Sequence, residues 1–253
     1  MDVPNTLRIV LLGKTGSGKS SLANTIFGKD VFRVRHFSNS EPSFCQAESG
    51  YVNGKHLTLV DTPGFFYPEM SEQELKREIV KSISEVAPGP HAFLIVLKVE
   101  KFTEQESQVV KQIQEYFSKE VLKYSTVVFT YGNQLSEEME IEAFVKQNKQ
   151  LQALVEKCGG RCLVVDNKYW KHNQNEHGNN RIQVAKLLDT IEKMVVEKRG
   201  GCFTIKMLQN WERHQSILNI FKCVMTFFSK KSVRVVLGVT ILIGVTLTAA
   251  VRW

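Results

Sequence analysis

Five short apolar runs alternate with longer amphipathic stretches along this chain, and each run is too continuous to belong to a strand with one wet face. They are LRIVLL (7 to 12), LTLVD (57 to 61), HAFLIVLKV (91 to 99), STVVFTY (125 to 131) and RCLVVDN (161 to 167). The pattern predicts parallel strands buried on both faces. Apolar positions at helical spacing recur in 71 to 86, 103 to 117, 137 to 158 and 181 to 198, and SSLANTIF (20 to 27) is also helical in character. Ser71 with Glu74, and Thr103 with Glu106, have the spacing of a capping box and mark two helix starts. The alternation predicts an α/β fold, a mostly parallel central sheet flanked by helices.

One further apolar run has a different character. Val235 to Val251 is seventeen residues without a charge, bounded by Arg234 and Arg252. As a helix it would span about 26 Å, the lower limit for crossing a bilayer and closest to the thickness of the endoplasmic reticulum membrane. The alternative is a buried strand or helix closing the main domain. Lys230, Lys231 and Arg234 on the N-terminal side place that flank in the cytosol, and Trp253 suits the membrane interface. The expected organisation is a domain over 1–205, a juxtamembrane amphipathic segment over 206–232 and a C-terminal transmembrane tail anchor over 233–253. SILNIFKCVMTFF (216 to 228) lies along the interface or packs as a buried helix. This reading gives a single-pass protein of the endoplasmic reticulum or another internal membrane, with its domain in the cytosol and the lipid bilayer as partner through residues 235–251.

Charge changes the picture little. The formal net charge is +7, but the basic residues are spread along the chain and interleaved with acids, a pattern for an anionic membrane surface and not for nucleic acid. Five cysteines, odd in number and without a CxxC pair, point to a reduced compartment. The spacing of Cys158, Cys162, His172 and His177 matches no common zinc pattern.

The strongest chemical signal follows the first apolar run. Gly13 to Ser20 reads GKTGSGKS, a G-x-x-x-x-G-K-[ST] pattern between a predicted strand and a predicted helix. Gly13, Gly16 and Gly18 let the backbone close around phosphates, so that the amides of Lys14, Thr15, Ser17 and their neighbours, and the positive end of the helix, face the anion. Lys19 reaches the β- and γ-phosphates, and Ser21 completes the predicted contact set. Ser20 and Asp61, the latter ending the second run, are predicted Mg²⁺ ligands. Asp61-Thr62-Pro63-Gly64 matches the D-x-x-G element, in which the amide of Gly64 senses a γ-phosphate.

FTYGNQL (129 to 135) and VDNK (165 to 168) stand at two further strand ends, where base-reading loops belong. Together with GKTGSGKSSLANTIFG (13 to 28), DTPGFF (61 to 66) and APGPHAFLIVLKVEKFTEQE (87 to 106), the set resembles the GIMAP family of immune-associated nucleotide-binding GTPases, with its AIG1-type G domain. The resemblance covers about residues 6 to 205. It implies a P-loop NTPase with a Ras-like G domain and a helical elaboration, GTP/GDP and Mg²⁺ as cofactors, and nucleotide-dependent homo- or hetero-oligomers of related G domains. By position it assigns base contacts to Tyr131, Asn133 and Asn167. Asn133 stands where the family has an aspartate, which weakens or removes one charge-assisted bond to guanine. Pro42 stands near the usual Mg²⁺-closing threonine, with Ser40 and Ser43 as the alternative hydroxyls. Phe65 occupies the place of a water-orienting glutamine, so slow turnover is expected, assisted by a partner's arginine or by a homodimer. The alternative is an interaction module that binds nucleotide without hydrolysing it.

Overall fold

Four of the apolar runs become the inner strands, and the fifth an edge strand, of a six-stranded sheet in a computed structural model of the chain, which describes residues 4–34, 44–136, 139–167, 180–204 and 206–208. The strands are β1 (Thr6–Leu12), β2 (Gln46–Val52), β3 (Lys55–Asp61), β4 (Ala92–Lys98), β5 (Ser125–Thr130) and β6 (Cys162–Val164). The helices are α1 (Lys19–Phe27), α2 (Glu72–Ser84), α3 (Glu104–Phe117), α4 (Ile141–Lys146), α5 (Lys149–Lys157) and α6 (Asn180–Glu197). Sheet order is β2-β3-β1-β4-β5-β6, parallel except for the edge pair β2 and β3.

Both faces of the sheet are covered, which explains the continuous runs. Leu7, Ile9 and Leu11 of β1 join Leu94 and Val96 of β4 in a core beneath Leu22 and Ile26 of α1 and Leu187, Leu188 and Ile191 of α6. Val10, Phe93, Ile95 and Phe129 alternate onto the other face, where Phe93 meets Phe117 of α3. Helix α3 buries Val109, Ile113, Tyr116 and Phe117, the stripe that its sequence spacing predicts. Both capping boxes are formed, at Ser71 and at Thr103.

At the end of the sheet where β1 and β4 begin, Arg8 is fastened to the segment leading into β4. Its main-chain N–H donates to His91 Nδ1 at 3.0 Å and its Nε to the Gly89 carbonyl at 2.7 Å. Burial, with Arg8 beside it, holds the His91 imidazole down to about 4. Phe203 is fully buried among Phe93, Phe117 and Tyr124, and its N–H donates to the Pro90 carbonyl at 2.8 Å.

Three details depart from the sequence reading. Strand β2 was not anticipated: QAESGYV alternates half-buried and exposed positions, and its hairpin to β3 turns on Asn53 (φ 51°) and Gly54 (φ 78°). The stretch 137 to 158 is not one helix, because Asn148 accepts from the amides of Gln150 and Leu151 and starts α5 anew. Strand β6 has three residues, shorter than its apolar run. Among the described residues no helix is long and apolar enough to cross a membrane. The run 235 to 251, the segment 216 to 228 and the candidates Ser40, Pro42, Ser43 and Lys168 lie outside the described residues.

Candidate functional site

Strand β1 has β3 on one side and β4 on the other, so chain connections leave it in opposite directions and open a crevice at its carboxyl end. The glycine-rich loop fills that crevice. A Cβ on Gly13 would lie 2.5 Å from the Val96 carbonyl oxygen, so only glycine lets the loop leave β1 this close to β4. Gly16 and Gly18 take φ of 77° and 89°, which coils the loop; the amides of Thr15 and Ser17, predicted to face an anion, donate instead to the Phe65 and Lys14 carbonyls at 2.9 and 3.1 Å. Gly18 offers no side-chain cap to α1, leaving the first amides of that helix to an anion.

Lys19 is 7% exposed, and its ammonium donates to the carbonyls of Gly13 (3.1 Å) and Lys14 (3.2 Å). Burial lowers its pKa, and the Asp61 carboxylate opposes that shift. Ser20 Oγ donates to Asp61 Oδ2 at 2.5 Å, joining the start of α1 to the end of β3. Two hard oxygen donors converging beside a phosphate loop fit Mg²⁺, which keeps few protein ligands and completes its octahedron with water and phosphate. Those two residues would hold the ion there, where it would neutralise phosphate charge.

The D-x-x-G segment is laced to the loop through backbone. Phe65 N–H donates to Gly13 O at 3.1 Å, and Thr15 N–H to Phe65 O at 2.9 Å, forming a parallel bridge between Lys14 and Phe65. Thr62 Oγ1 donates to Leu11 O at 2.6 Å. Gly64 lies so close that a Cβ there would come within 2.4 Å of Thr15 Cα. Phe65 itself is fully buried and stacks on Tyr116 of α3, ring centroids 5.7 Å apart, so its side chain belongs to the core and cannot orient water.

At the other end of the crevice, Thr130 Oγ1 lies 2.7 Å from Ser17 O and 3.0 Å from Leu97 O, tying the last residue of β5 to the phosphate loop. The sequence reading missed this residue: a threonine ending an apolar strand looks like β-propensity alone. Tyr131 follows with φ 59°, is 40% exposed, and has Lys98 Nζ 5.3 Å from its ring centroid. Asn133 is exposed on the 3₁₀ turn Gly132–Gln134. Asn167 Nδ2 donates to Gly18 O at 3.1 Å and its Oδ1 accepts from Thr25 Oγ1 at 3.2 Å, so this side chain braces the loop against α1.

A cavity of about 350 Å³ gathers Thr15, Gly16, Gly18, Lys19, Ser20, Ser21, Asp61, Gly64 and Tyr131. Of the sequence-predicted residues, Gly13, Lys14, Ser17, Asn133 and Asn167 do not line it; Gly13 and Asn167 instead hold the loop that does. Lys14 turns to α3, its Nζ 3.2 Å from Glu106 Oε1, and the two line a neighbouring cavity of about 420 Å³, a second pairing the sequence reading did not anticipate. Burial raises the Glu106 carboxyl, but hydrogen bonds from Thr103 and Lys14 outweigh it and hold the group below the ordinary carboxylate value.

Comparison with known proteins agrees with this arrangement. The profile of the AIG1 family matches residues 7–223. The chain belongs to the AIG1 family. It is 33% identical over 204 residues to GTPase IMAP family member 8 of Rattus norvegicus, covering 79% of this chain and 28% of that protein. Immune-associated nucleotide-binding protein 7 of Arabidopsis thaliana is 30% identical over 201 residues, covering 78% of this chain and 63% of that one. The chain thus spans under a third of the first relative and under two thirds of the second. The same α/β G-domain fold is seen in Toc33 from Arabidopsis thaliana in complex with GDP and Mg²⁺, at TM-score 0.60 and 21% identity, over 78% of this AIG1 chain and 86% of that one.

Proposed function

We propose that this chain is a guanine-nucleotide-binding protein that takes GTP or GDP with Mg²⁺ in the cavity over the phosphate loop and acts as a GTP-dependent switch or scaffold at a membrane. The observation that carries the reading is the backbone lacing of Gly13–Thr15 to Gly64 and Phe65, beside the Ser20–Asp61 pair. That lacing puts the D-x-x-G amides against the part of the loop nearest a γ-phosphate. A third phosphate would add contacts to both segments beyond this lacing, and its loss would remove those contacts. The GDP and Mg²⁺ bound by Toc33, and the name shared by the immune-associated nucleotide-binding proteins, support the same ligands here.

Hydrolysis to GDP and phosphate is slow in this reading. Lys19 and the loop amides stabilise charge on the transferring phosphoryl group, and Mg²⁺ when bound supplies further neutralisation. Buried Phe65 leaves the attacking water without a side chain from that position, so a partner or a second copy of the chain supplies the missing group. A second reading, nucleotide binding without turnover, is favoured by the same residue. Anchoring of residues 235–251 in an internal membrane, with the G domain cytosolic, completes the proposal and rests on the uncharged run and its basic flank.

The test is titration of the full chain with fluorescent GTP, GDP, XTP and ATP, followed by single-turnover hydrolysis across protein concentration. Turnover that rises with concentration supports assisted hydrolysis, and tight binding without turnover selects the second reading. Equal affinity for ATP and GTP would sink the guanine assignment.

A further inference from the structure

Two capping boxes of the same chemistry sit in this domain, and they differ in one respect. At α2, Glu74 Oε2 accepts from Ser71 N (2.9 Å) and Ser71 Oγ (2.7 Å), and the box is exposed to solvent. At α3, Glu106 Oε2 serves Thr103 in the same way, with its main-chain N–H at 3.0 Å and its hydroxyl as the second donor. The Glu106 side chain is 9% exposed, however, and its second oxygen, Oε1, is given to Lys14 of the phosphate loop. A cap needs only the first oxygen.

Lys14 is placed to matter. Its backbone bridges to Phe65, and its own carbonyl receives the Lys19 ammonium at 3.2 Å. Its side chain therefore starts beside the point where the loop meets the outer phosphates. The loop carries two lysines: Lys19 faces the cavity, while Lys14 is turned to α3 and neutralised there.

We infer that Glu106 is a positioning residue for the phosphate loop, acting through Lys14: it holds the outer lysine turned away and its charge compensated, which sets how strongly the site favours a triphosphate over a diphosphate. The inference rests on the nucleotide-binding reading above and specifies how that site is tuned. A γ-phosphate adds negative charge at the Lys14–Thr15 end of the loop. An uncompensated lysine there attracts it, and a lone Glu106 repels it.

The experiment measures Kd for GDP and for a non-hydrolysable GTP analogue, with Mg²⁺, on the full chain at low and high salt. Glu106→Gln keeps the size and a cap acceptor. It should raise the preference for triphosphate roughly three- to tenfold at low salt, as removal of one nearby opposing charge would, with the gain shrinking as salt screens it. Lys14→Met should lower that preference, and the double variant should return near the wild-type ratio. Glu74→Gln, the same cap without a lysine, should leave the ratio unchanged. The inference is overturned if Glu106→Gln leaves the ratio unmoved, weakens both nucleotides equally, or is not reversed by Lys14→Met. A wild-type chain that binds neither nucleotide removes the parent reading itself, an outcome separate from a ratio that fails to move.

Discussion

The two ends of one cavity, the end proposed for the phosphates and the end proposed for the base, are built on different plans. At the phosphate end the contacts are backbone to backbone, between glycines that leave no room for a side chain and a buried phenylalanine. At the other end the groups on offer are side chains at a surface: Tyr131, 40% exposed over Lys98, lines the cavity, and Asn133 is exposed outside it on a single 3₁₀ turn, beside a strand of three residues. Backbone hydrogen bonds change little with side-chain identity, whereas a reader made of two exposed side chains changes with each substitution. Affinity should therefore reside in the first plan and selectivity in the second.

The largest test of that division is Gly64→Ala. Its Cβ would press within 2.4 Å of Thr15, forcing the laced segments apart. A loss of about 3 kcal/mol is expected from such overpacking, and so a melting temperature lower by roughly 6–12 °C in calorimetry. The preference for GTP over GDP should fall with it, while the preference for guanine over adenine stays. Smaller is the effect of Thr130→Val, which strips the hydroxyl that ties the two ends and leaves the Ser17 and Leu97 carbonyls short of a donor. About 2 kcal/mol should be lost in chemical denaturation, and affinity and selectivity should decline together. If selectivity alone declined, the two ends would not be coupled through this residue. The smallest change is Asn133→Asp, which restores a carboxylate at an exposed position. It should tighten guanine over xanthine nucleotides by about 1 kcal/mol, roughly fivefold, with no change in thermal stability. No change in base preference would place base reading elsewhere.

The same division explains what could be read from the sequence. The phosphate end was legible because glycines at fixed spacing, a lysine and a serine are demanded by backbone geometry and anion chemistry. Gly13, Gly16, Gly18, Lys19, Ser20, Asp61 and Gly64 announce themselves without any knowledge of the neighbours. The inner strands were legible because burial on both faces forces continuous apolar runs. Edge strand β2 was not, since its residues, QAESGYV, alternate half-buried and exposed positions and have no run to show; the Asn53-Gly54 turn was a local mark of its hairpin. The bracing contacts of Thr130 and Asn167 and the Lys14–Glu106 pair were not legible for a common reason. Each acts across 92 to 149 residues of chain, and no local pattern records such a contact.

The packing of Phe203 has a mechanical consequence. The residue is clamped between three aromatic neighbours and the Pro90 carbonyl, at the end of the sheet where β1 and β4 begin, while the phosphate loop lies at the end where β1 finishes. Tension applied to the chain after residue 204 would be delivered first to this clamp and then along β4 as shear, shared across the hydrogen bonds to β1 and β5. The loops over the cavity would carry almost none of that load. The clamp is a strain relief: the domain can be tugged from that side without its nucleotide grip being loosened.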